Sequence, residues 1–504
     1  MRVLFVSSEI YPLAKTGGLA DVSAALPDAL AGLGVDTQLL LPGYPKALEA
    51  AAHKTVELEV VDFMGAGPLR LVSGRMPDTR LPVWLMDCPA LFQRDGGLYQ
   101  DDDGRDWPDN ARRFAVFSHV AAQLALGRLL PNWRADLVHA NDWHAGLVPT
   151  ILAATSGPKP PVVFTMHNLA YQGVFAAELY PQLGLPADLF GPDGLEFYGK
   201  VSFLKAGIGY SDCLTTVSPS YAQEILTAQY GCGLDGLLQH RAQDLFGILN
   251  GVDYRIWDPA SDRHIPSNFT SPHIAGKRAC KAAVQEEFGL AIDPEAPLFV
   301  FVSRITDQKM ADIVAAALPE IAKSGAQCVL LGDGERWIEK QFLAAARAQP
   351  GRIAARIGYE EPLAHLLIAG GDMLLHPARF EPCGLTQLYA MRYGTLPLVR
   401  RTGGLKDTVV DATEAAITAG TATGIAFDDV DLADMLGCIE RALALYEQPV
   451  LWRKLQRQAM AQNFSWADSA RRYLALYRRL APQAAVALPE TVEADNFPLE
   501  KVAG

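Results

Sequence analysis

One rhythm runs through this chain twice: a short run of β-branched and aliphatic residues, a helical pattern, then another short run. In the first half the apolar runs fall at residues 3–7, 37–41, 81–86, 137–139, 162–166, 213–217 and 246–249. In the second they fall at 298–303, 327–331, 353–357, 373–376 and 396–400. Apolar runs without polar alternation are strands buried on both faces, and strands separated by helices pair in parallel because each connection must cross back over the sheet. The expected class is therefore α/β, with doubly wound parallel sheets, which bind ligands outside the carboxyl ends of their strands. At 504 residues the chain exceeds one ordinary core. The segment Asn250-Gly251-Val252-Asp253 to Asp258-Pro259 breaks the rhythm with Gly, Asp and Pro and marks a junction. The expected domains are 1–250 and 251–465, followed by an amphipathic helix at about 466–480 and a frayed, proline-containing tail over 481–504.

A phrase recurs across the two halves. Lys15-Thr16-Gly17-Gly18-Leu19-Ala20-Asp21 and Arg401-Thr402-Gly403-Gly404-Leu405-Lys406-Asp407 each carry a cation and paired glycines ahead of an apolar-periodic run. A glycine loop opening into a helix lets backbone N–H groups approach an anion, and the helix dipole adds positive potential. Two copies suggest two similar halves facing one cleft.

The formal charge of −13 repels nucleic acid and anionic membrane surfaces, so a phosphate ligand needs a local cluster of cations. Seven scattered cysteines with no C-x-x-C spacing indicate neither a disulfide framework nor a zinc ribbon, and suggest a reducing cytoplasm. No run approaches the ~18 apolar residues of a membrane span, and the opening run is too short for a signal peptide.

Several polar groups sit at expected strand ends: His139-Ala140-Asn141-Asp142-Trp143-His144, Thr165-Met166-His167-Asn168, and Ser303-Arg304 with Gln308-Lys309. The five-residue spacing of His139 and His144 is not that of a helical zinc pair, and each histidine could simply bond a neighbouring group. Arg304 and Lys309 together would make a diphosphate clamp. Glu381 lies just ahead of a helix start at Gly384-Leu385-Thr386, whose amides could receive a phosphate. Gly231-Cys232-Gly233-Leu234-Asp235-Gly236 satisfies G-x-G-x-x-G but follows a helical pattern, so it fails as a dinucleotide fingerprint. Asp101-Asp102-Asp103 and Asp429-Val430-Asp431 read as solvated loop charge rather than metal sites.

Taken together, the 15–21 loop, 139–144, His167-Asn168-Leu169-Ala170-Tyr171-Gln172-Gly173, Asn250-Gly251-Val252-Asp253, the Arg304 and Lys309 pair and Arg379-Phe380-Glu381-Pro382-Cys383-Gly384-Leu385-Thr386-Gln387 closely resemble the glycogen and starch synthase family, over Met1 to about Leu480. The resemblance implies two Rossmann-like domains facing a central cleft, the GT-B arrangement, with the final helix returning to the first domain. It implies a retaining, metal-independent transfer of glucose from ADP-glucose to an α-1,4-glucan, without a cofactor. It further implies that Arg304 and Lys309 stabilise departing ADP, that His167 and Glu381 support the glucosyl unit, that Asp142 and Asn250 line the sugar pocket and that Tyr359 packs on adenine. Lys15, Thr16, Gly17, Gly18, Asp21, Tyr99, Asn168, Cys383, Gly384, Leu385 and Thr386 complete the implied substrate-binding set.

Four positions depart from the family pattern. Met310 stands where Gly is usual, and if that Gly serves a positive φ, Met310 strains the turn beside Lys309. Asp307 replaces an aromatic or small polar residue, Trp107 replaces a usual Tyr, and Tyr389 takes the second place of an E-x7-E pattern. The alternatives are a synthase using UDP-glucose and a non-catalytic glucan-binding homologue.

Overall fold

The computed structural model describes residues 1–484; residues 485–504, most of the expected tail, lie outside the described residues. The chain divides into two units, Met1–Gly251 with the segment from Trp466, and Val252–Ser465. Each is an α/β unit built on a parallel sheet, the class expected from the apolar runs.

The first unit contains β1 (Arg2–Val6), β2 (Asp36–Pro42), β3 (Ala52–Val60), β4 (Leu69–Arg75), β5 (Pro82–Asp87), β6 (Leu137–Asn141), β7 (Val162–Met166), β8 (Val174–Ala176), β9 (Glu196–Phe197), β10 (Lys200–Ser202), β11 (Cys213–Thr216) and β12 (Leu245–Gly247). Nine of these form one sheet in the order β12-β11-β7-β6-β1-β2-β5-β4-β3, and β8-β10-β9 form a small separate sheet. The parallel core runs from β12 to β5, with β3 and β4 added antiparallel at one edge. The apolar runs mark neither β4, where Arg70, Ser73 and Arg75 interrupt the apolar residues, nor β3, for a physical reason. The β3 strand is largely exposed and carries Lys54, Glu57 and Glu59, as an unprotected edge requires, so it lacks the apolar run that marks a central strand. The final helix, Trp466–Leu480, buries Trp466, Ala470, Tyr473, Leu474 and Tyr477 along one face of this unit.

The second unit contains β13 (Leu298–Val302), β14 (Gln327–Gly332), β15 (Ile353–Ile357), β16 (Met373–His376), β17 (Leu396–Arg400) and β18 (Ile425–Phe427), in the order β15-β14-β13-β16-β17-β18. Every pairing is parallel, and β13 and β14 are buried at every position. This order reverses between β13 and β16, and the first sheet reverses between β1 and β6. Loops leaving the carboxyl ends of strands on either side of a reversal diverge and open a crevice.

The repeated glycine phrase does not occupy equivalent places. The first copy follows β1, whereas the second follows β17, one strand beyond the pair at the reversal; the loop topologically equivalent to the first copy is the one carrying Arg304 and Lys309. The second copy's glycines serve packing: a Cβ on Gly404 would sit 2.2 Å from the Cys383 carbonyl oxygen, and its amide donates to the Glu381 carbonyl at 3.0 Å. Arg401 pairs with Asp428 at 2.5 Å and Asp411 at 3.4 Å.

Met310 sits in the left-handed region, φ 49 and ψ 32, as the departure from glycine led one to expect, with its side chain fully buried. Relieving the φ would gain about 1 kcal/mol, but emptying the core of the side chain costs about 2–5 kcal/mol. Met310→Gly is therefore expected to lower the urea midpoint of the second unit despite removing the strain; a raised midpoint would show that backbone conformation dominates at this position.

Candidate active site

In the first unit the reversal places three acidic or basic groups on adjacent strand ends. Glu9 follows β1, Asp142 follows β6 and His167 follows β7. Glu9 was not anticipated as a site residue. Its carboxylate accepts the Thr16 amide at 2.5 Å, the Thr16 hydroxyl at 2.6 Å, the Gly17 amide at 3.1 Å and the Tyr99 hydroxyl at 2.8 Å. The anion cradled by the Lys15–Gly18 loop is thus a carboxylate of the chain itself, and Lys15 pairs with Asp21 at 2.8 Å. Burial raises the Glu9 carboxyl above its usual range, against the four hydrogen bonds that pull it down. The signal in the sequence was a Glu three residues past the central apolar run Val3-Leu4-Phe5-Val6.

Asp142 has φ 55 and ψ 179, a conformation almost confined to glycine and typical of strained functional positions. Its Oδ1 accepts the His167 amide at 2.7 Å. Burial pushes its carboxyl up to about 7, with the Glu9 charge adding to the rise and the His167 and Asn168 amides opposing it. A buried acid raised from about 4 stabilises the fold only while protonated: its contribution is whole below pH 4 and is lost as pH climbs through 7, on the order of 4 kcal/mol. Asp142→Asn, which mimics the protonated acid, is expected to melt above the parent at pH 8 and close to it at pH 4.5; an equal gap at both would refute the burial argument.

His167 Nε2 lies 3.0 Å from Asn141 Oδ1, while Asn141 Nδ2 donates to the Val6 carbonyl at 3.1 Å. That fixes the amide orientation, so the imidazole carries its proton on Nε2 and presents Nδ1 as an acceptor. Burial holds this ring well below its usual pKa, hence neutral. Asn168 Oδ1 accepts the Ala170 amide at 3.0 Å and shapes the same loop. Asn250, buried beyond β12, is not drawn into this group by any hydrogen bond of its Oδ1.

His139 and His144 prove to be packing residues. His139 bonds Tyr477 and Thr165, both at 2.6 Å, and ties the final helix to the sheet. His144 is stacked between Trp143 at 3.9 Å and Tyr99 at 4.4 Å.

In the second unit the loop after β13 carries Arg304 and Lys309, and the loop after β16 carries Glu381. The two loops are laced together: the Arg379 amide donates to the Gln308 carbonyl at 2.9 Å, and Arg379 binds Asp312 through both carboxylate oxygens at 2.9 and 2.8 Å. The loop after β13 also lies flush against Gly332, where a Cβ would fall 1.9 Å from the Ser303 carbonyl oxygen. Within this frame the buried Lys309 ammonium bonds Glu381 Oε2. Burial pushes the Glu381 carboxyl up, but Lys309, His376 and Arg304 outweigh it and the net shift is downward, so the group is an anion. His376, the last residue of β16, was not anticipated; it lies 3.7 Å from the same Glu381 oxygen.

Cys383 is buried beside Glu381, and Gly384, Leu385 and Thr386 lead into the helix Thr386–Arg392. Tyr389 on that helix lies 4.0 Å from Trp257 at an interplanar angle of 2°, and Trp257 lies 3.7 Å from His365 at 9°. His365 and Tyr393 both bond Asp262 Oδ2, at 2.7 and 2.6 Å, so the position that departs from E-x7-E anchors the helix to the core. Tyr359 follows β15 with its ring exposed. Trp107 donates to the Gly97 carbonyl at 3.0 Å and packs under Arg94. The glycine-rich stretch 231–236 comes after the helix Pro219–Glu224 and not after a strand. Asp101 caps its own loop, and Asp431 caps the helix Leu432–Tyr446. Among the described residues no group of three or more His, Cys, Asp or Glu is arranged to hold a metal ion, and no helix is long and apolar enough to cross a membrane.

Comparison with known proteins bears on the whole length. A family described as the starch synthase catalytic domain matches residues 2–240, and one described as glycosyl transferases group 1 matches residues 285–458. The chain is 53% identical to glycogen synthase of Paramagnetospirillum magneticum, covering 95% of this chain and 98% of that one. It is 50% identical to glycogen synthase of Burkholderia thailandensis, covering 95% and 91%. Among solved structures it resembles the catalytic domain of starch synthase IV from Arabidopsis thaliana bound to ADP and acarbose, with a TM-score of 0.87, 31% identity and coverage of 95% and 99%.

Proposed function

The chain belongs to the glycogen and starch synthase family of glycosyltransferases, and on that premise we propose that it transfers glucose from ADP-glucose to the non-reducing end of an α-1,4-glucan, with retention of configuration. The observation that carries this reading is the buried Lys309–Glu381 pair beside Arg304, set where the strand order of the second sheet reverses. A related starch synthase structure holds ADP, and the exposed Tyr359 ring offers a face for adenine.

Breaking the glycosidic bond builds negative charge on the diphosphate and positive charge on the sugar. Arg304 and Lys309 meet the first, as cations that the protein holds against the diphosphate while charge develops. Ionised Glu381 supports the oxocarbenium-like sugar. Within the first unit, neutral His167 offers Nδ1 as an acceptor for a sugar hydroxyl, and Asp142 and Asn250 are further sugar ligands in this reading. The acceptor hydroxyl attacks from the face the diphosphate leaves, and a diphosphate oxygen takes its proton, so no side chain forms a covalent intermediate. ADP-glucose is a substrate here, and no cofactor or metal ion is assigned a role. Seven free cysteines fit a cytoplasmic location.

The test is incorporation of labelled glucose into glycogen from ADP-glucose and from UDP-glucose. Label should enter the polymer, with kcat/KM at least about 10-fold higher for the adenine donor. A preference for UDP-glucose would overturn the donor assignment, and no label from either would leave a non-catalytic glucan-binding homologue.

A further inference from the structure

His376 is buried to 2% exposure at the carboxyl end of β16, and neither of its ring nitrogens has a hydrogen-bond partner. Such an orphan costs roughly 1–3 kcal/mol, and a core position could have been filled by an aliphatic residue without that cost. The ring nevertheless faces the proposed site, with Nε2 3.7 Å from Glu381 Oε2, the same oxygen that Lys309 occupies. Burial, with Lys309 reinforcing and Glu381 opposing, lowers the imidazole to about 4, so it is neutral and carries one N–H.

The proposed reaction makes two demands on Lys309. Without substrate it neutralises a buried carboxylate; with donor bound it must turn part of its hydrogen bonding to the diphosphate. A buried carboxylate whose partner is withdrawn is strongly destabilised, by more than a surface pair could recover. The ammonium has three N–H donors and can bridge both groups, but whatever it gives to the diphosphate weakens its hold on Glu381, and a second donor at that oxygen would make up the difference.

We propose that His376 is a positioning residue that donates its N–H to Glu381 Oε2 when Lys309 turns to the diphosphate, keeping the carboxylate fixed and ionised during transfer. The inference rests on the reading of Lys309 as a diphosphate ligand. The movement is small, since closing 3.7 Å to a hydrogen bond of about 2.9 Å needs a shift under 1 Å. Arg304 is the other cation that acts on Glu381. It is exposed and lies on the loop that would clamp the diphosphate, so the same ligand draws on it.

ADP binding and turnover are measured on the full chain for wild type, His376→Leu, His376→Gln and Lys309→Ala. His376→Leu should bind ADP about 10-fold more weakly and lose about 10-fold in kcat, with KM for glucan unchanged. His376→Gln, which keeps a donor of similar reach, should recover both to within about 3-fold. Equal losses in Leu and Gln would show a packing role and overturn the proposal, as would wild-type ADP affinity in His376→Leu. If wild type binds ADP and Lys309→Ala binds it equally well, the reading of Lys309 falls and this proposal with it. A weakened Lys309→Ala beside an unchanged His376→Leu sinks the proposal alone.

Discussion

Glu381→Gln is expected to lower kcat by roughly 10³-fold while the protein keeps its fold. The carboxylate is held as an anion against burial by Lys309, His376 and Arg304. A preorganised charge aimed at a developing opposite charge is worth about 10²–10³ in rate. The amide keeps the shape and an acceptor for Lys309 but removes the charge. It leaves the Lys309 ammonium, 9% exposed, without a counter-ion, and breaking a buried pair in this way costs about 3–5 kcal/mol. Glu381→Gln with Lys309→Met should therefore regain stability over the single variant and remain inactive. Steady-state kinetics and urea unfolding separate these effects. Wild-type kcat in the single variant would reduce Glu381 to a structural partner of the lysine.

The second large effect is expected at Glu9. Glu9→Ala removes the acceptor of four hydrogen bonds and leaves the Thr16 and Gly17 amides at a helix start without their carboxylate. Thr16 is exposed and Gly17 half-buried, so water can replace part of the lost bonding, but the loop loses its internal anchor and must rearrange. A loss of roughly 100-fold in kcat/KM should follow, because misplacing groups by about 1 Å costs that much. Glu9→Gln retains an acceptor for the two amides and should stay within about 10-fold of wild type. The amide also removes a charge that raises the Asp142 carboxyl, so the titration of Asp142 should move down. Unchanged kcat/KM in Glu9→Ala would show the loop to be held by other means.

The doubly wound architecture was legible because central parallel strands are buried on both faces and leave unbroken apolar runs. The outer pair β3 and β4 and the short β8, β9, β10 and β18 were not, since a part-exposed strand or one of two or three residues leaves no such run. Within the candidate site, residues announced by loop glycines or by a cation beside a strand end were visible, among them Arg304, Lys309 and Glu381. The partners that set their charge were less so. Glu9 looked like the end of a strand, and His376 like its last residue; only the sheet order shows that each stands at a reversal. The repeated glycine phrase misled in one respect. The same seven-residue pattern forms a carboxylate cradle after β1 and a backbone packing contact after β17, because what a glycine permits depends on which neighbour approaches it. Trp257 and Asp262 lie in irregular segments and His365 on the helix Glu361–Gly370, with no motif between them, and their contacts exist only in three dimensions.

The structure of the protein with ADP bound tests the central claim most directly. Diphosphate oxygens are predicted within about 3.2 Å of both Lys309 Nζ and the Arg304 guanidinium. A nucleotide held elsewhere, with Lys309 still bonded only to Glu381, would contradict the account.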